Sequence, residues 1–245
     1  MTKKYEGTIK ACFIGYIVQA IVNNFTPLLF IRFGTEYNIP LSEITMLITV
    51  NFLIQLTMDF ASAFFIDRIG YKASCLIAHA ACAAGLISLA VLPGMFENAY
   101  TGLVIAVLMY AVGGGLLEVV ISPMVEACPS EHKDKTMSML HSFYCWGTVI
   151  VIAFSTLFFY FFGIENWKTL SLIWAVLPIL NGIAFIFLPV CSLADGDEEG
   201  LSLKELFKTK AFWLFALVIC CAGASEQAVS QWASAFTEQA LGISK

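Results

Sequence analysis

Residues 111–126, AVGGGLLEVVISPMVE, lie within an apolar run that is long enough to cross a bilayer and yet carries two carboxylates. Glu118, Ser122 and Glu126 are spaced by four residues, so on a helix they share one face. A charged side chain in contact with lipid costs at least about 2.5 kcal/mol. We therefore expect this face to meet protein or water, and the rest of the chain to surround an aqueous cavity.

The composition is typical of integral membrane proteins. Of the 245 residues, 59% are hydrophobic and 13% are charged, whereas an ordinary soluble domain has about 25% charged residues. No basic patch with interleaved aromatic residues is present, which argues against nucleic acid as a partner. The eight cysteines show neither metal-ligand spacing nor the pattern of a secreted disulfide scaffold. We expect buried cysteines and no bound metal.

Seven apolar runs are each long enough to cross a hydrocarbon core of about 30 Å. They are called spans 1 to 7 and cover residues 11–33, 44–66, 73–92, 101–125, 137–162, 170–188 and 211–236. The interval between spans 6 and 7 is polar, and within it residues 201–208 indicate a short amphipathic helix at the inner membrane surface. We predict an N-terminal domain over residues 1–190, a cytoplasmic linker over 191–210 and the first helix of a second domain over 211–245.

The basic residues of the connecting segments predict the orientation of the chain. With a cytoplasmic N-terminus, ten of them lie inside and three outside, in agreement with the positive-inside rule. The ten are Lys3, Lys4, Lys10, Arg68, Lys72, Lys133, Lys135, Lys204, Lys208 and Lys210, and the three are Arg32, Lys168 and Lys245. We expect a multi-pass protein of the cell membrane whose N-terminus is cytoplasmic.

The connection between spans 2 and 3 reads AFFIDRIGYK over residues 63–72. It resembles the signature G-x-x-x-D-R-x-G-R/K-R/K of the major facilitator superfamily, at the same place in the topology. The matching residues are Asp67, Arg68, Gly70 and Lys72, whereas Ala63 and Tyr71 depart from the signature. A carboxylate and a guanidinium at a helix end can pair across helices in one conformation and release in another, as a latch. The alternative is an ordinary inside loop with positive charge.

The resemblance implies an all-α fold of two six-helix halves, each built from two inverted three-helix repeats. This chain would then be the N-terminal bundle with the first helix of the C-terminal half. Spans 1, 4 and 7 would line the central cavity, and polar residues are concentrated on those spans. They are Gln19, Asn23 and Asn24 in span 1, Glu118, Ser122 and Glu126 in span 4, and Glu226, Gln227, Ser230 and Gln231 in span 7.

A narrower resemblance links the chain to the fucose and hexose proton symporters. It rests on Asn23-Asn24-Phe25, on Gly113 to Gly115 leading to Glu118, and on Glu226 with Trp232. Those symporters have an acidic residue just after the paired asparagines, where this chain has Pro27. The absence of that acid leaves Glu118 as the main candidate for proton coupling, the alternative being a structural, hydrogen-bonded carboxyl group.

The candidate substrate-binding residues offer amide, hydroxyl, carboxylate or aromatic contacts to a hydroxyl-rich solute. They are Gln19, Asn23, Asn24, Ser122, Glu226, Gln231 and Trp232. The amides of span 1 serve equally well in helix packing, so both roles stay open. Two further polar faces are Asn51, Gln55 and Asp59 in span 2, and His141, Tyr144, Cys145 and Thr148 in span 5. Gly113 to Gly115 predict close helix approach or a flexible cavity wall.

The chain contains no hydrolase, metalloprotease, Cys-x-x-Cys or dinucleotide-binding signature. We therefore expect a transporter rather than an enzyme, driven by a proton gradient and needing no cofactor. The leading hypothesis is proton-coupled, alternating-access transport of a small polar solute, most simply a sugar, across the lipid bilayer. The alternatives are an efflux antiporter for amphipathic metabolites or, if the chain ends at Lys245, a non-transporting subunit or receptor. Transport would need the missing C-terminal half.

Overall fold

A computed structural model describes residues 4–129, 132–191 and 203–242, and within these ranges the chain is helical and forms no strand. The helices are α1 (Glu6–Asn24), α2 (Phe30–Tyr37), α3 (Leu41–Ile69), α4 (Tyr71–Val91), α5 (Ala99–Glu126), α6 (Lys133–Phe162), α7 (Trp167–Phe187), α8 (Leu203–Lys208) and α9 (Lys210–Leu241). In this described part, seven segments are long and apolar enough to cross a membrane. The seven predicted spans and the all-α fold class are confirmed.

Most helices extend beyond the apolar runs that predicted them. Span 5 was expected to begin at Met137, whereas α6 begins at Lys133, and span 7 continues as α9 to Leu241. Polar residues are tolerated where a helix leaves the hydrocarbon core, so hydropathy finds the core of each span but underestimates its length. Helix α8 lies inside the predicted amphipathic segment, while residues 192–202 of the predicted linker fall outside the described residues.

Span 1 is broken, which hydropathy did not predict. A 3₁₀ turn, Thr26–Leu29, separates α1 from α2, and all four of its residues are buried. Pro27 lies in the first positions of this turn and has no backbone N–H to continue an α-helical hydrogen-bond ladder. The chain therefore changes helix type in the middle of a span while its backbone stays enclosed by protein, as backbone irregularities within a membrane must be.

Helix α5 is the centre of the first six spans, since it packs on α1, α3 and α4. Two glycines bring α4 and α5 into close contact. A β-carbon on Gly85 would lie 2.5 Å from the backbone nitrogen of Tyr110, and one on Gly113 would lie 2.7 Å from the carbonyl oxygen of Ala78. Small residues at such positions allow helix backbones to approach closely. The close approach predicted for the glycine run of span 4 is observed.

Large apolar side chains cover the outer surfaces of the bundle. Phe64 on α3 is 77% exposed, Tyr160 on α6 is 74% exposed and Phe187 on α7 is 81% exposed. An apolar surface of this extent would promote aggregation in water. It is the surface that a bilayer covers, in agreement with a multi-pass membrane protein.

Two glycines with positive φ close the tightest connections. Gly70 (φ +85°) is the single residue between α3 and α4, and Gly163 (φ +81°) follows α6 directly before a 3₁₀ turn that leads into α7. Glycine adopts this conformation without the steric cost that a β-carbon brings. The two connections occupy equivalent places, between the second and third spans of each three-helix repeat.

The end of the bundle that contains Gly70, called the Gly70 end, is tied together by polar contacts to the last residues of α7. Lys72 donates from Nζ to the carbonyl oxygens of Ile186 and Leu188, at 2.9 and 3.0 Å. Thr8 donates from Oγ1 to the carbonyl oxygen of Pro189 at 2.6 Å. These bonds satisfy carbonyl groups that a helix end leaves without intrahelical partners, and they join α1, α4 and α7.

At the opposite end of the bundle, Glu36 joins α2 to α7. Its Oε2 accepts hydrogen bonds from Arg32 Nε at 2.8 Å and from Trp167 Nε1 at 2.9 Å. Lys168 Nζ lies 3.7 Å from Oε1 of the same carboxylate. The broken span 1 is thereby anchored at both ends to the sixth span.

A buried polar contact also links α1, α4 and α7 within the bundle. Asn181 Nδ2 lies 3.0 Å from the carbonyl oxygen of Ala11 and 2.8 Å from His79 Nε2. His79 Nδ1 lies 2.8 Å from the carbonyl oxygen of Cys75, which requires Nδ1 to carry the proton and leaves Nε2 as the acceptor. Both side chains are satisfied and buried, so we assign them a structural role.

The helices form two compact units. The first contains α1 to α7. The second contains α8 and α9, which are joined by a hydrogen bond from Trp213 Nε1 to the carbonyl oxygen of Phe207 at 2.9 Å.

Candidate substrate and proton site

Glu118, the acid near the middle of α5, is paired with an amide of α1. Gln19 Nε2 donates to Glu118 Oε2 at 3.0 Å. Gln19 is buried, whereas Glu118 remains exposed on the face of α5 that its neighbours in the first unit leave open. The carboxylate is therefore held at one oxygen while it stays accessible.

One helical turn further along α5, Ser122 is paired with Tyr16 of α1. The two hydroxyl oxygens are 2.6 Å apart, and either can be the donor. Tyr16 lies three residues before Gln19 and is 5% exposed. Two contacts in register thus align the polar stripe of α5 with a polar stripe of α1.

The polar stripe of α1 continues to Asn23, which meets α3 and α6. Gln55 Nε2 donates to Asn23 Oδ1 at 2.7 Å and to Asn51 Oδ1 at 3.1 Å. Asn23 Nδ2 in turn lies 3.4 Å from the hydroxyl oxygen of Tyr144 on α6. Together with the two α1–α5 contacts these residues form what we call the polar cluster: Tyr16, Gln19, Asn23, Asn51, Gln55, Glu118, Ser122 and Tyr144.

Asn24 is turned away from this cluster. Its Nδ2 donates to the carbonyl oxygen of Ala20 at 2.9 Å and to Thr148 Oγ1 at 3.3 Å. An amide that bonds to its own helix and to α6 serves helix packing, which was the alternative role considered for the span 1 amides. The paired asparagines therefore have different partners, and their predicted roles in substrate binding stay predictions.

A second carboxylate lies near the polar cluster. Asp59 continues the stripe of Asn51 and Gln55 along α3, and its neighbour Met58 packs against Gly115, about one turn before Glu118 on α5. Its Oδ1 is enclosed and has no hydrogen-bond partner among the residues that the structure describes. An enclosed carboxylate oxygen needs a proton, a water molecule or a ligand group as its partner.

Aromatic rings adjoin the polar cluster at the contact between α1 and α6. The rings of Phe13 and Phe143 stack with centroids 4.6 Å apart. The ring of Tyr16 lies 5.7 Å from that of His141 and 6.5 Å from that of Tyr144. This arrangement offers apolar faces beside hydrogen-bonding groups, the combination that small-molecule sites use.

Glu126 belongs to the rim of the bundle. It is exposed, and its Oε1 lies 3.3 Å from Lys133 Nζ at the start of α6. The two acids of the opening stretch are thus in different surroundings, since Glu118 contacts the polar cluster and Glu126 a surface lysine.

The signature residues between α3 and α4 lie at the Gly70 end. Lys72 binds the end of α7 as described above, and Arg68 is exposed in the last turn of α3. The side chain of Asp67 lies outside the part of the chain that the structure describes. Among these residues Lys72 has a described contact to the end of α7, and the latch role stays a prediction.

Three predicted substrate residues lie on α9, in the second unit. Glu226 is exposed, Trp232 is half-buried, and Gln231 is buried and donates from Nε2 to Gln227 Oε1 at 3.3 Å. Their predicted place opposite the polar cluster stays a prediction.

Sequence reasoning had not chosen Tyr16 as a site residue, and had noted Gln55 and Tyr144 only as members of polar faces. Tyr16, Gln19 and Asn23 follow the helical spacing of three and four residues, and this spacing was the available signal. No group of three or more His, Cys, Asp or Glu suited to a metal occurs among the described residues.

Fold and site together define a polytopic helical membrane protein with a polar surface inside a bundle of apolar spans. A sequence profile of the Major Facilitator Superfamily matches residues 12–245. The chain therefore belongs to this superfamily, whose members are transporters. A search of curated protein sequences gave no significant match.

Solved structures similar to this chain include two of POT family transporters. One is in complex with a thioalcohol-conjugated peptide (TM-score 0.60) and the other with 5-aminolevulinic acid (TM-score 0.61). Each is 15% identical, and each alignment covers 91% of this chain and 46% of the solved chain. The chain thus spans about half the length of these transporters, and the likeness shows the fold. The narrower likeness to fucose and hexose symporters is not shown by these comparisons and stays a prediction.

Proposed function

We propose that the protein is a secondary active transporter for a small polar solute, most simply a sugar, and that Glu118 couples transport to protons. The observation that carries this proposal is the setting of Glu118, an exposed carboxylate within a membrane span that is held by Gln19 and lies near a second acid, Asp59. Two like charges close to each other repel, and a proton on either group relieves the repulsion. Proton uptake and release can then follow changes in water access.

The sugar assignment is supported by the chemistry of the polar cluster. Amides and hydroxyls from α1, α3, α5 and α6 supply both donors and acceptors, as hydroxyl-rich ligands require. The aromatic faces of Tyr16 and Tyr144 lie beside them and can pack against the apolar face of a sugar ring. Glu226, Gln231 and Trp232 of α9 would complete the site from the second half.

The mechanism would be rocking of the two halves about a site near the bilayer midplane. We place the Gly70 end in the cytoplasm, because the basic residues of the connecting segments are concentrated there. Asp67, Arg68, Gly70 and Lys72 would act as the latch of that end, with the contact from Lys72 to α7 present in this conformation.

The test is uptake of radiolabelled D-glucose, D-galactose and L-fucose into vesicles that contain the full-length gene product and carry an imposed proton gradient. Glu118→Gln should reduce accumulation to the level reached without the gradient, while exchange of labelled for unlabelled sugar continues, since exchange needs no net proton movement. Glu126→Gln is the matched control, because it removes an acid from the same helix at the rim. Unchanged accumulation by Glu118→Gln would refute the proton role.

An efflux antiporter for amphipathic metabolites is the second candidate, and the stacked Phe13–Phe143 pair beside the polar cluster favours it. The POT family neighbours, whose bound ligands are a peptide conjugate and 5-aminolevulinic acid, extend the candidates to small amine-bearing solutes. Competition in the same vesicles separates these cases. Unlabelled hexoses should compete with the labelled sugars only if the protein is a sugar carrier. In the second case the labelled sugars should not accumulate, and a labelled amphipathic amine should be exchanged for protons instead.

A further inference from the structure

Gln55 hydrogen-bonds to asparagines of two helices in the polar cluster. It lies on α3, is 4% exposed, and directs both of its Nε2 protons to carbonyl oxygens, one on Asn23 and one on Asn51. A carboxamide nitrogen has two protons to donate. Both are used, so both asparagine side chains are oriented with their oxygens toward Gln55.

This orientation decides what Asn23 presents to the rest of the site. With its Oδ1 held by Gln55, its Nδ2 faces Tyr144 on α6, at 3.4 Å from the hydroxyl oxygen. The terminal torsion of asparagine is broad and roughly two-fold, so the surrounding hydrogen bonds decide which of the two orientations is adopted. The donor on Gln55 therefore directs the oxygen of Asn23, and not its nitrogen, toward α3.

Gln55 lies behind the polar surface, against the glycine run of α5. A β-carbon on Gly115 would be 3.1 Å from Gln55 Cα, and one on Gly114 would be 3.5 Å from Gln55 Nε2. The two glycines leave the space that the Gln55 side chain occupies. Gln55 therefore acts on the site through Asn23 rather than by touching a solute from the cavity.

We propose that Gln55 is a positioning residue of the substrate site, a role that rests on the function proposed above. It holds the Asn23 carboxamide with its oxygen toward α3 and its nitrogen toward α6, and so sets the donor that Asn23 contributes to recognition of a polar solute. The competing account is that Gln55 only packs α3 against α1.

The first test uses Gln55→Met, which keeps the length of the side chain and removes its hydrogen bonds. Exchange of labelled D-glucose, D-galactose and L-fucose is measured on the full-length gene product in vesicles, per correctly folded carrier. One neutral hydrogen bond corresponds to a change in affinity of about 2- to 12-fold. The KM of Gln55→Met should rise within that range while the maximal rate is unchanged. Thr57→Val, on the exposed face of the same helix, is the control and should change neither.

A packing role predicts a different result, namely fewer folded carriers with an unchanged KM, and that result overturns the proposal. The second test is a double-mutant cycle with Asn23→Ala. If Gln55 acts through Asn23, the variant with both substitutions has the same KM as Asn23→Ala alone, since no amide is left to orient. If the two substitutions instead raise the KM by factors that multiply, Gln55 and Asn23 have independent roles, and the proposal is also overturned.

The proposed function and the role of Gln55 can fail separately. If the wild-type carrier exchanges none of the three sugars, the sugar assignment fails. The same double-mutant cycle is then carried out with the Tm of the detergent-solubilised protein, measured without substrate, in place of the KM. Coupled Tm losses support the Gln55–Asn23 link in that case, and additive losses refute it.

Discussion

Alanine at position 113 should destabilise the bundle, although alanine is a better helix former than glycine. The new β-carbon would lie 2.5 Å from Cys82 Sγ and 2.7 Å from both the backbone nitrogen of Cys82 and the carbonyl oxygen of Ala78. Two of these three atoms belong to the backbone of α4, so a change of side-chain rotamer cannot relieve the clash. The helix itself has to move away from α5 along their largest contact.

The magnitude follows from two opposing terms. Overpacking of this kind costs about 1–3 kcal/mol, and replacing glycine by alanine within a helix returns up to about 1 kcal/mol. The net loss for Gly113→Ala is therefore up to about 2 kcal/mol, which corresponds to a decrease in Tm of up to about 8 °C for a chain of this size. Gly34→Ala is the matched control, because its β-carbon would be 3.4 Å from Ile44 Cδ1, an ordinary contact. Its Tm should stay the same or rise.

The assay is thermal unfolding of the detergent-solubilised protein, followed by the loss of helical circular dichroism, with both variants compared to the wild type. If Gly113→Ala unfolds at the same temperature as Gly34→Ala, then α4 and α5 are not held as closely as the structure indicates. The account of the glycine run as a packing device would then be wrong.

Two further substitutions test the polar contacts that tie the helices together, again by Tm. Lys72→Met removes the donor to the two carbonyl groups at the end of α7. It should lower the free energy of unfolding by about 1 kcal/mol, because water reaches part of the site, whereas Lys72→Arg should keep most of the stability. Equal Tm values for the two variants would show that the contact contributes nothing. Asn181→Leu leaves the buried His79 Nε2 without its donor and should lower the free energy of unfolding by about 1–3 kcal/mol. Leu180→Ala, at the exposed neighbouring position, should cost less. A larger loss for Leu180→Ala than for Asn181→Leu would contradict the structural role of the Asn181–His79 pair.

Hydropathy and one motif were enough to predict the number of spans, the all-α class and the superfamily. Hydropathy succeeds because a span must satisfy its backbone internally and must be apolar over about 20 residues. It did not detect the 3₁₀ turn in span 1, since the residues of that turn are as apolar as those of the helices beside it. Pro27 was the local signal, but a proline within a span can be tolerated in an α-helix, as Pro123 in α5 is.

Most residues of the candidate site were predicted from the sequence, but the hydrogen bonds between them were not. Spacing on single helices identified the stripes of α1, α3 and α5, because residues three and four apart share a face. The pairing of Gln55 with Asn23 depends on the depth and rotation of α3 relative to α1. Close-packed small residues decide this geometry, and it cannot be deduced from a single sequence. The difference in partners between Asn23 and Asn24 likewise follows from which side of α1 meets α3, since both asparagines contact α6.

The glycine connections have a consequence for how the chain enters the bilayer during synthesis. A single residue between two helices reaches only about 3.5 Å, so the ends of α3 and α4 that meet at Gly70 must lie at the same depth from the moment both are formed. We therefore expect the two helices to insert as one hairpin rather than one after the other. We expect the same of α6 and α7, which the short Gly163 connection joins, so that the middle and last spans of each repeat enter the bilayer in pairs.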